Sequence, residues 1–424
     1  MPITQKELGR RLRAAREACH LKQEDVAGRL GVSRSTVAQM ELGNRAVTGL
    51  ELDKLAYLYG RDLREFLAEE FHEEDALVAL FRRHPEVSEQ EDVLEALRQC
   101  VVLGRELTNL ERLLGIDRDL ATIATYPLPA PRTKWDAVQQ GERIAGEERR
   151  RLGLSTVSLP SVAELLESQG IRTAQIGLPD DVSGLTLIEP GIGFFVVANN
   201  REPGHSYVRR RFSYAHEYCH VLVDREQKGT ISRASNRDNL LEVRANAFAA
   251  SFLMPTEGVR EFVKGLAKGR PSRLQADVFD EEEAISAQAR PAPGSQAIQM
   301  HDVVLLAHHF GVSRISALYR LKNLGLVTEP EFESLKGQDD QGLGKSLAGF
   351  LDLPEPDHEE TRNEFRHRFL ALGLEAFRRG EVTRSKLREL AVMVGVAGVN
   401  LDEVLARAGL KEQDEEADNS LAKG

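Results

Sequence analysis

The sequence predicts an α+β fold that is mostly α, and three observations lead there. Both ends of the 424-residue chain are dominated by apolar residues at helical spacing. Only two runs, SGLTLIE (183–189) and GIGFFVVAN (191–199), alternate or cluster as strands do, and both lie in the middle. Between and around them, Gly and Pro cut the helical pattern into short segments.

Size and composition set the frame. A chain of 424 residues exceeds what one hydrophobic core usually supports, so several domains are expected. Hydrophobic content of 41% and charged content of 29% are those of a globular protein. No apolar run approaches the ~18 residues of a membrane span, and MPITQKELGRR has no apolar signal core. A cytoplasmic protein with no membrane partner is expected. Cys19, Cys100 and Cys219 are far apart, which argues against a disulfide framework and a cysteine-only metal site. The net charge of −11 argues against a nucleic-acid coat over the whole surface. Charge is local, however: residues 1–67 carry twelve Lys/Arg against nine Asp/Glu, so a mildly basic module sits on an acidic body.

Residues 1–67 read as five short helices. Thr4 can cap the first, with Glu7 completing a capping box. In QEDVAGRLGVSRSTVAQMELGNR one helix opens at Gln23, Gly31 supplies a left-handed turn, and Ser33 caps the next helix. Residues 68–134 read as an amphipathic helical spacer ending in the Pro-rich linker TYPLPAPRTK (125–134). From 135 a helix leads to the two strand-like runs, which a Gly/Pro turn at 190–191 can join as a hairpin. Two further helices follow, the second (LLEVRANAFAASFL) stopped by Pro255. The stretch 268–297 is charged, then Ala/Pro/Gly-rich, and is expected to be mobile. A helical C-terminal region occupies 331–424 and ends in an acidic tail. The phrase VAGRLGVSR (26–34) recurs as LAHHFGVSR (306–314) and, more weakly, as LAVMVGVAG (390–398), the common grammar of two helices meeting at a tight turn.

The run FSYAHEYCHVLV (212–223) places His216 and His220 four residues apart, hence on one helix face where both can reach one ion. Imidazole nitrogens suit Zn²⁺. Glu217, beside the first histidine, can take a proton from water and return it to a leaving amine. Two carboxylates are candidates for a third ligand: Asp224, one turn on, and Glu242 on the next helix. Glu242 is favoured, because Asn246 shares its face and can orient a histidine from behind. His205 and Tyr207, just before the helix, are candidates to stabilise the transition state. Cys219 points elsewhere on the helix and reads as packing.

With LLEVRANAFAASFLMP, the run RRRFSYAHEYCHVLV resembles the ImmA/IrrE family of zinc metallopeptidases over residues 135–330. The resemblance implies a zincin-like domain with a small sheet, zinc on His216, His220 and Glu242, and Glu217 as general base. The chain departs from the family with Tyr218-Cys219 where Leu-Gly is usual. Residues 4–67 resemble the XRE/Cro-type helix-turn-helix, with SRSTVAQMELGNR as the recognition segment. A helix in the major groove meets base edges with its early outward side chains. Arg34 is expected to read guanine and Gln39 adenine, while Gln23, Ser33, Ser35, Thr36, Asn44 and Arg45 are expected at phosphates or base edges. One such module reads too few base pairs for tight specific binding, so a homodimer on a double-stranded operator is expected.

Together these readings imply a DNA-binding regulator whose peptidase domain cleaves a repressor, or itself, on a stress or mobile-element signal. A non-enzymatic repressor whose zinc domain is a sensor or a structural module is the rival. An antitoxin role is the least favoured.

Overall fold

The computed structural model describes residues 3–19, 21–71, 80, 90–118, 123–189, 191–201, 206–236, 238–268, 274–280, 283–289, 296–353, 358–396 and 401–407. Five short helices open the chain: α1 (Gln5–Ala18), α2 (Gln23–Leu30), α3 (Arg34–Glu41), α4 (Gly49–Leu58) and α5 (Leu63–Leu67). Their boundaries follow from local chemistry. Thr4 Oγ1 accepts from the Glu7 amide, but Glu7 turns its carboxylate to Arg10 and Arg11, so the expected capping box is only half made. Gly31 (φ +70°) makes the left-handed turn between α2 and α3, and Ser33 Oγ accepts from the Thr36 amide. Ala15, Val26, Ala27, Val37 and Met40 are buried between these helices.

Next comes α6 (Glu91–Leu113), then α7 (Lys134–Arg151) and α8 (Val162–Ser168). A four-stranded mixed sheet follows: β1 (Arg172–Ile176), β2 (Val182–Glu189), β3 (Gly193–Asn199) and β4 (Gly229–Arg233), in the order β1-β3-β2-β4. β1 runs parallel to β3, and the other pairs are antiparallel. The expected hairpin is β2–β3, with Glu189 opposite Gly193. Between β3 and β4 runs α9 (Tyr207–Val223), and after β4 comes α10 (Leu240–Leu253). Pro255, which ends α10, caps α11 (Thr256–Gly265).

The strand alternation sorts two cores. Leu185, Leu187, Phe195 and Val197 enter one apolar cluster, together with α6, the N-terminal helices and Phe365, Phe369 and Leu390 from the C-terminal region. Val196 and Ala198 enter a second cluster with α7, α9 and α10. The sheet is therefore the wall between the two. α6, expected as a spacer, buries Val93, Leu97, Cys100, Val101, Leu107 and Leu110 and lies at the centre of the first core. Its Gly104 sits so close to β3 that an added Cβ would meet Ile192 at 2.8 Å and Phe195 at 3.0 Å. The 125–134 linker is also held: the Tyr126 amide donates to Leu222 O.

Within the stretch expected to be mobile, β5 (Leu274–Asp280) and β6 (Glu283–Ala289) pair as an antiparallel hairpin; residues 269–273, 281–282 and 290–295 lie outside the described residues. Apolar and polar residues alternate in LQADV (274–278), a period that the charged and Ala-rich composition masks. The chain then continues as α12 (Met300–Phe310), α13 (Arg314–Asn323), α14 (Glu329–Asp340), α15 (Leu343–Phe350), α16 (His358–Arg378), α17 (Arg384–Met393) and α18 (Leu401–Arg407). Gly311 (φ +62°) turns α12 into α13 as Gly31 does in the first copy of the repeated phrase. The acidic tail lies outside the described residues.

Candidate metal centre and nucleic-acid interface

α9 and α10 cross against each other, and the cluster forms where they meet. α10 is set by its approach to α7: an added Cβ at Gly141 would stand 2.4 Å from Arg244 O. α9 is pinned at its start by Arg211, which donates to Leu159 O, Pro160 O and Gly311 O. His216, His220 and Glu242 are buried, at 5%, 1% and 9% exposure, and turn their polar atoms to one point. The two Nε2 atoms lie 3.3 Å apart. Glu242 Oε2 is 3.1 Å from His216 Nε2, and its Oε1 is 3.5 Å from His220 Nε2.

The other ring nitrogens are committed. His216 Nδ1 meets Asn246 Oδ1 at 2.9 Å, the partner expected from its i+4 spacing to Glu242. His220 Nδ1 meets Asp224 Oδ2 at 2.8 Å, and Asp224 is held by Arg244 at 2.6 Å. Both Nδ1 atoms face acceptors and donate to them, which turns the two Nε2 atoms toward Glu242. The two Nε2 atoms and the Glu242 carboxylate thus converge on one point, where positive charge, a proton on His220 or a metal ion, balances the carboxylate. Burial opposes charge on His220, but the facing carboxylates of Asp224 and Glu242 outweigh it and push the imidazole up to about 10. The Glu242 carboxyl, though also buried, is held well below the usual range by the two histidines.

The separations also fit a divalent ion. Bonds of ~2.0–2.1 Å in a tetrahedron put its ligands roughly 3.3–3.4 Å apart. The Nε2–Nε2 distance of 3.3 Å matches that value, and the two Glu242 oxygens stand close to it, at 3.1 Å (Oε2 to His216) and 3.5 Å (Oε1 to His220). Asp224, the alternative third ligand in the sequence, stands behind His220 instead, orienting the ring.

Glu217 is fully buried on the sheet side of α9. Thr186 Oγ1 on β2 donates to its Oε2 at 2.7 Å, and Ser232 Oγ on β4 donates to its Oε1 at 2.6 Å. Gly184 makes room: an added Cβ there would be 3.0 Å from Glu217 Oε1 and 2.9 Å from Val197 O. The hydroxyl pair was not anticipated, since their one sequence signal, Thr and Ser among apolar strand residues, has no fixed spacing to residue 217. Tyr207 stands nine residues before His216, about 13.5 Å along the helix at ~1.5 Å per residue. Its hydroxyl lies by Pro160 O, so the structure does not bring it to the cluster. His205 lies outside the described residues. Tyr218 donates its hydroxyl to the buried Glu148, and Cys219 is buried with its thiol pushed far up by desolvation, a packing residue.

In the N-terminal module, Ser33, Arg34, Ser35, Gln39 and Asn44 are exposed along one edge of α3, and Thr36 is half-buried beside them. Asn44 donates to Gln39 Oε1 at 2.9 Å, which fixes both amides. Two expected contacts are drawn inward. Gln23 donates to Glu41 Oε2 at 2.8 Å, on the carboxylate that Arg16 also holds at 2.6 Å, and Arg45 donates to Glu51.

Residues 7–68 match the family model of a helix-turn-helix domain, and residues 195–274 match that of an IrrE N-terminal-like domain. The chain joins these two domains. The first match covers α1–α5, and the second runs from β3 to β5, enclosing His216, Glu217, His220 and Glu242. No curated protein matches the chain. Among the described residues, no helix is long and apolar enough to cross a membrane.

Proposed function

We propose that the chain is a DNA-binding regulator whose IrrE-like domain is a zinc-dependent peptidase acting on a regulator protein or on the chain itself. The observation that carries this reading is the convergence of two histidine Nε2 atoms and the Glu242 carboxylate at separations close to a tetrahedral edge. His216, His220 and Glu242 would hold the zinc, and Asn246 and Asp224 would fix the two rings behind it. Bound there, the ion supplies Lewis acidity to a scissile carbonyl and to water. Glu217 takes a proton from the attacking water and passes it to the leaving amine. Thr186 and Ser232 hold the carboxylate in one orientation while it does so.

The helix-turn-helix domain supports an operator as partner, read through Arg34 and Gln39, with a homodimer spanning two half-sites. The inducing signal in this reading is a stress or a mobile element. The second reading, a metal-bearing sensor without turnover, is favoured by one specific observation: Glu217 is fully buried with both oxygens engaged by hydroxyls.

The glutamine variant separates the two. Glu217→Gln should keep metal and DNA binding yet abolish both cleavage fragments and promoter induction, since an amide cannot accept the proton at neutral pH. Equal induction in the two strains, with no fragments in either, would contradict the peptidase and leave the sensor standing.

A further inference from the structure

On the face of the sheet opposite the metal cluster, a cavity of about 650 Å³ opens between α4, α6, the β1 edge, α16 and α17. Ligand sites for small molecules run from roughly 300 to 1,000 Å³ and are mostly apolar with a few polar groups. This cavity has that character. Val102, Ile176, Phe365 and Val392 supply apolar wall, and Gln99 and Arg366 supply polar groups. The charges are unequal in availability. Glu389, also at the wall, is paired with Lys386 at 3.0 Å, whereas among the described residues Arg366 forms no ion pair. Tyr57 closes the cavity from the helix-turn-helix domain, its hydroxyl donating to Glu95 of α6 at 2.8 Å. One volume thus touches the DNA-reading module, the sheet and the C-terminal helices.

We infer that this cavity is an effector site for a small apolar molecule bearing one anionic group, whose occupancy is coupled to the helix-turn-helix domain through Tyr57. The apolar body lies against Phe365, Ile176 and Val392, and the anion pairs with Arg366. Binding at a junction orders the parts it touches, and whatever orders α4 acts on the reader's position. Metal chemistry is not required, so the inference stands or falls apart from the peptidase reading.

The probe is 1-anilinonaphthalene-8-sulfonate, compared with N-phenyl-1-naphthylamine, which has the same rings and no sulfonate. Fluorescence titration of the full chain should give one saturable site per chain for the sulfonate, about tenfold tighter than for the neutral twin, as a charge-assisted contact implies. Arg366→Ala should erase that preference, Arg366→Lys should retain most of it, and Val392→Trp should block both probes. Hydrogen exchange at saturation should slow in α4. Equal affinity for the two probes in wild type, or undiminished binding to Val392→Trp, would overturn the site. Unchanged exchange in α4 would overturn its coupling to the reader.

Discussion

At the scale of single residues, Asp224 and Glu242 show how two buried carboxylates near the same histidine divide their roles. Glu242 faces both Nε2 atoms, whereas Asp224 meets His220 from behind and is neutralised by Arg244. Asp224→Asn should therefore lower metal affinity about 10–100-fold without changing stoichiometry at saturating metal, as removal of an orienting partner does. Competition against a chelator of known affinity measures this, and a stoichiometry that falls to zero would make Asp224 a ligand. Gly184→Ala tests the other side of the centre. The added methyl meets Val197 O and Glu217 within about 3 Å, an overpacking that costs about 1–3 kcal/mol. Metal content should be kept while cleavage falls, and unchanged cleavage would mean that Glu217 needs no such fixed seat.

Much of this centre was legible because a helix has a fixed period. His216 with His220, and Glu242 with Asn246, each span four residues, and each pair meets where that spacing puts it. The spacing of Asp224 from His220 is the same and carried the same signal, but it admits two readings, and only the direction of the ring decides between them. Thr186 and Ser232 come from strands brought together by tertiary pairing, for which no local period exists.

At the scale of elements, the N-terminal helices depend on a buried ion pair as well as on apolar contact. Arg16 and Glu41 are almost wholly enclosed, with Gln23 on the same carboxylate. Removing Glu41 leaves the enclosed Arg16 only Glu17 and the Leu21 carbonyl, so Glu41→Ala should cost about 3 kcal/mol, the low end for a broken buried pair, and weaken DNA binding through loss of fold. Thermal melts of the full chain measure it. Arg34→Ala should instead leave the melt unchanged and lower operator affinity by about 1–3 kcal/mol. If both variants melt as wild type does, the Arg16–Glu41 pair does not support the module. Helices with caps or turn glycines at their ends were readable in advance, as at Ser33 and Gly31. β1 and β4 were not, for RTAQI and GTISR are five residues long, too short to show a period against polar surroundings. α6 showed its apolar spacing clearly, but what it packs against is set by distant chain.

For the whole molecule, the sheet is the common wall of two cores, one holding the DNA-reading helices and the other the metal cluster. Arg105 spans the first, donating to Gly60 O in the N-terminal module and pairing with Glu189 on β2 at 2.9 Å. Leu185 and Leu187 face the reader side while Thr186 between them holds Glu217, so β2 touches both functions. Peptidase and sensor alike require the cluster to bind metal, and metal content of the purified full chain tests that most directly. Elemental analysis after exhaustive dialysis should find about one zinc per chain in wild type and in Glu217→Gln, and a small fraction of that in Glu242→Ala and His220→Ala. Wild-type protein that holds no metal when zinc is supplied, or a Glu242→Ala protein that holds as much as wild type, would contradict it.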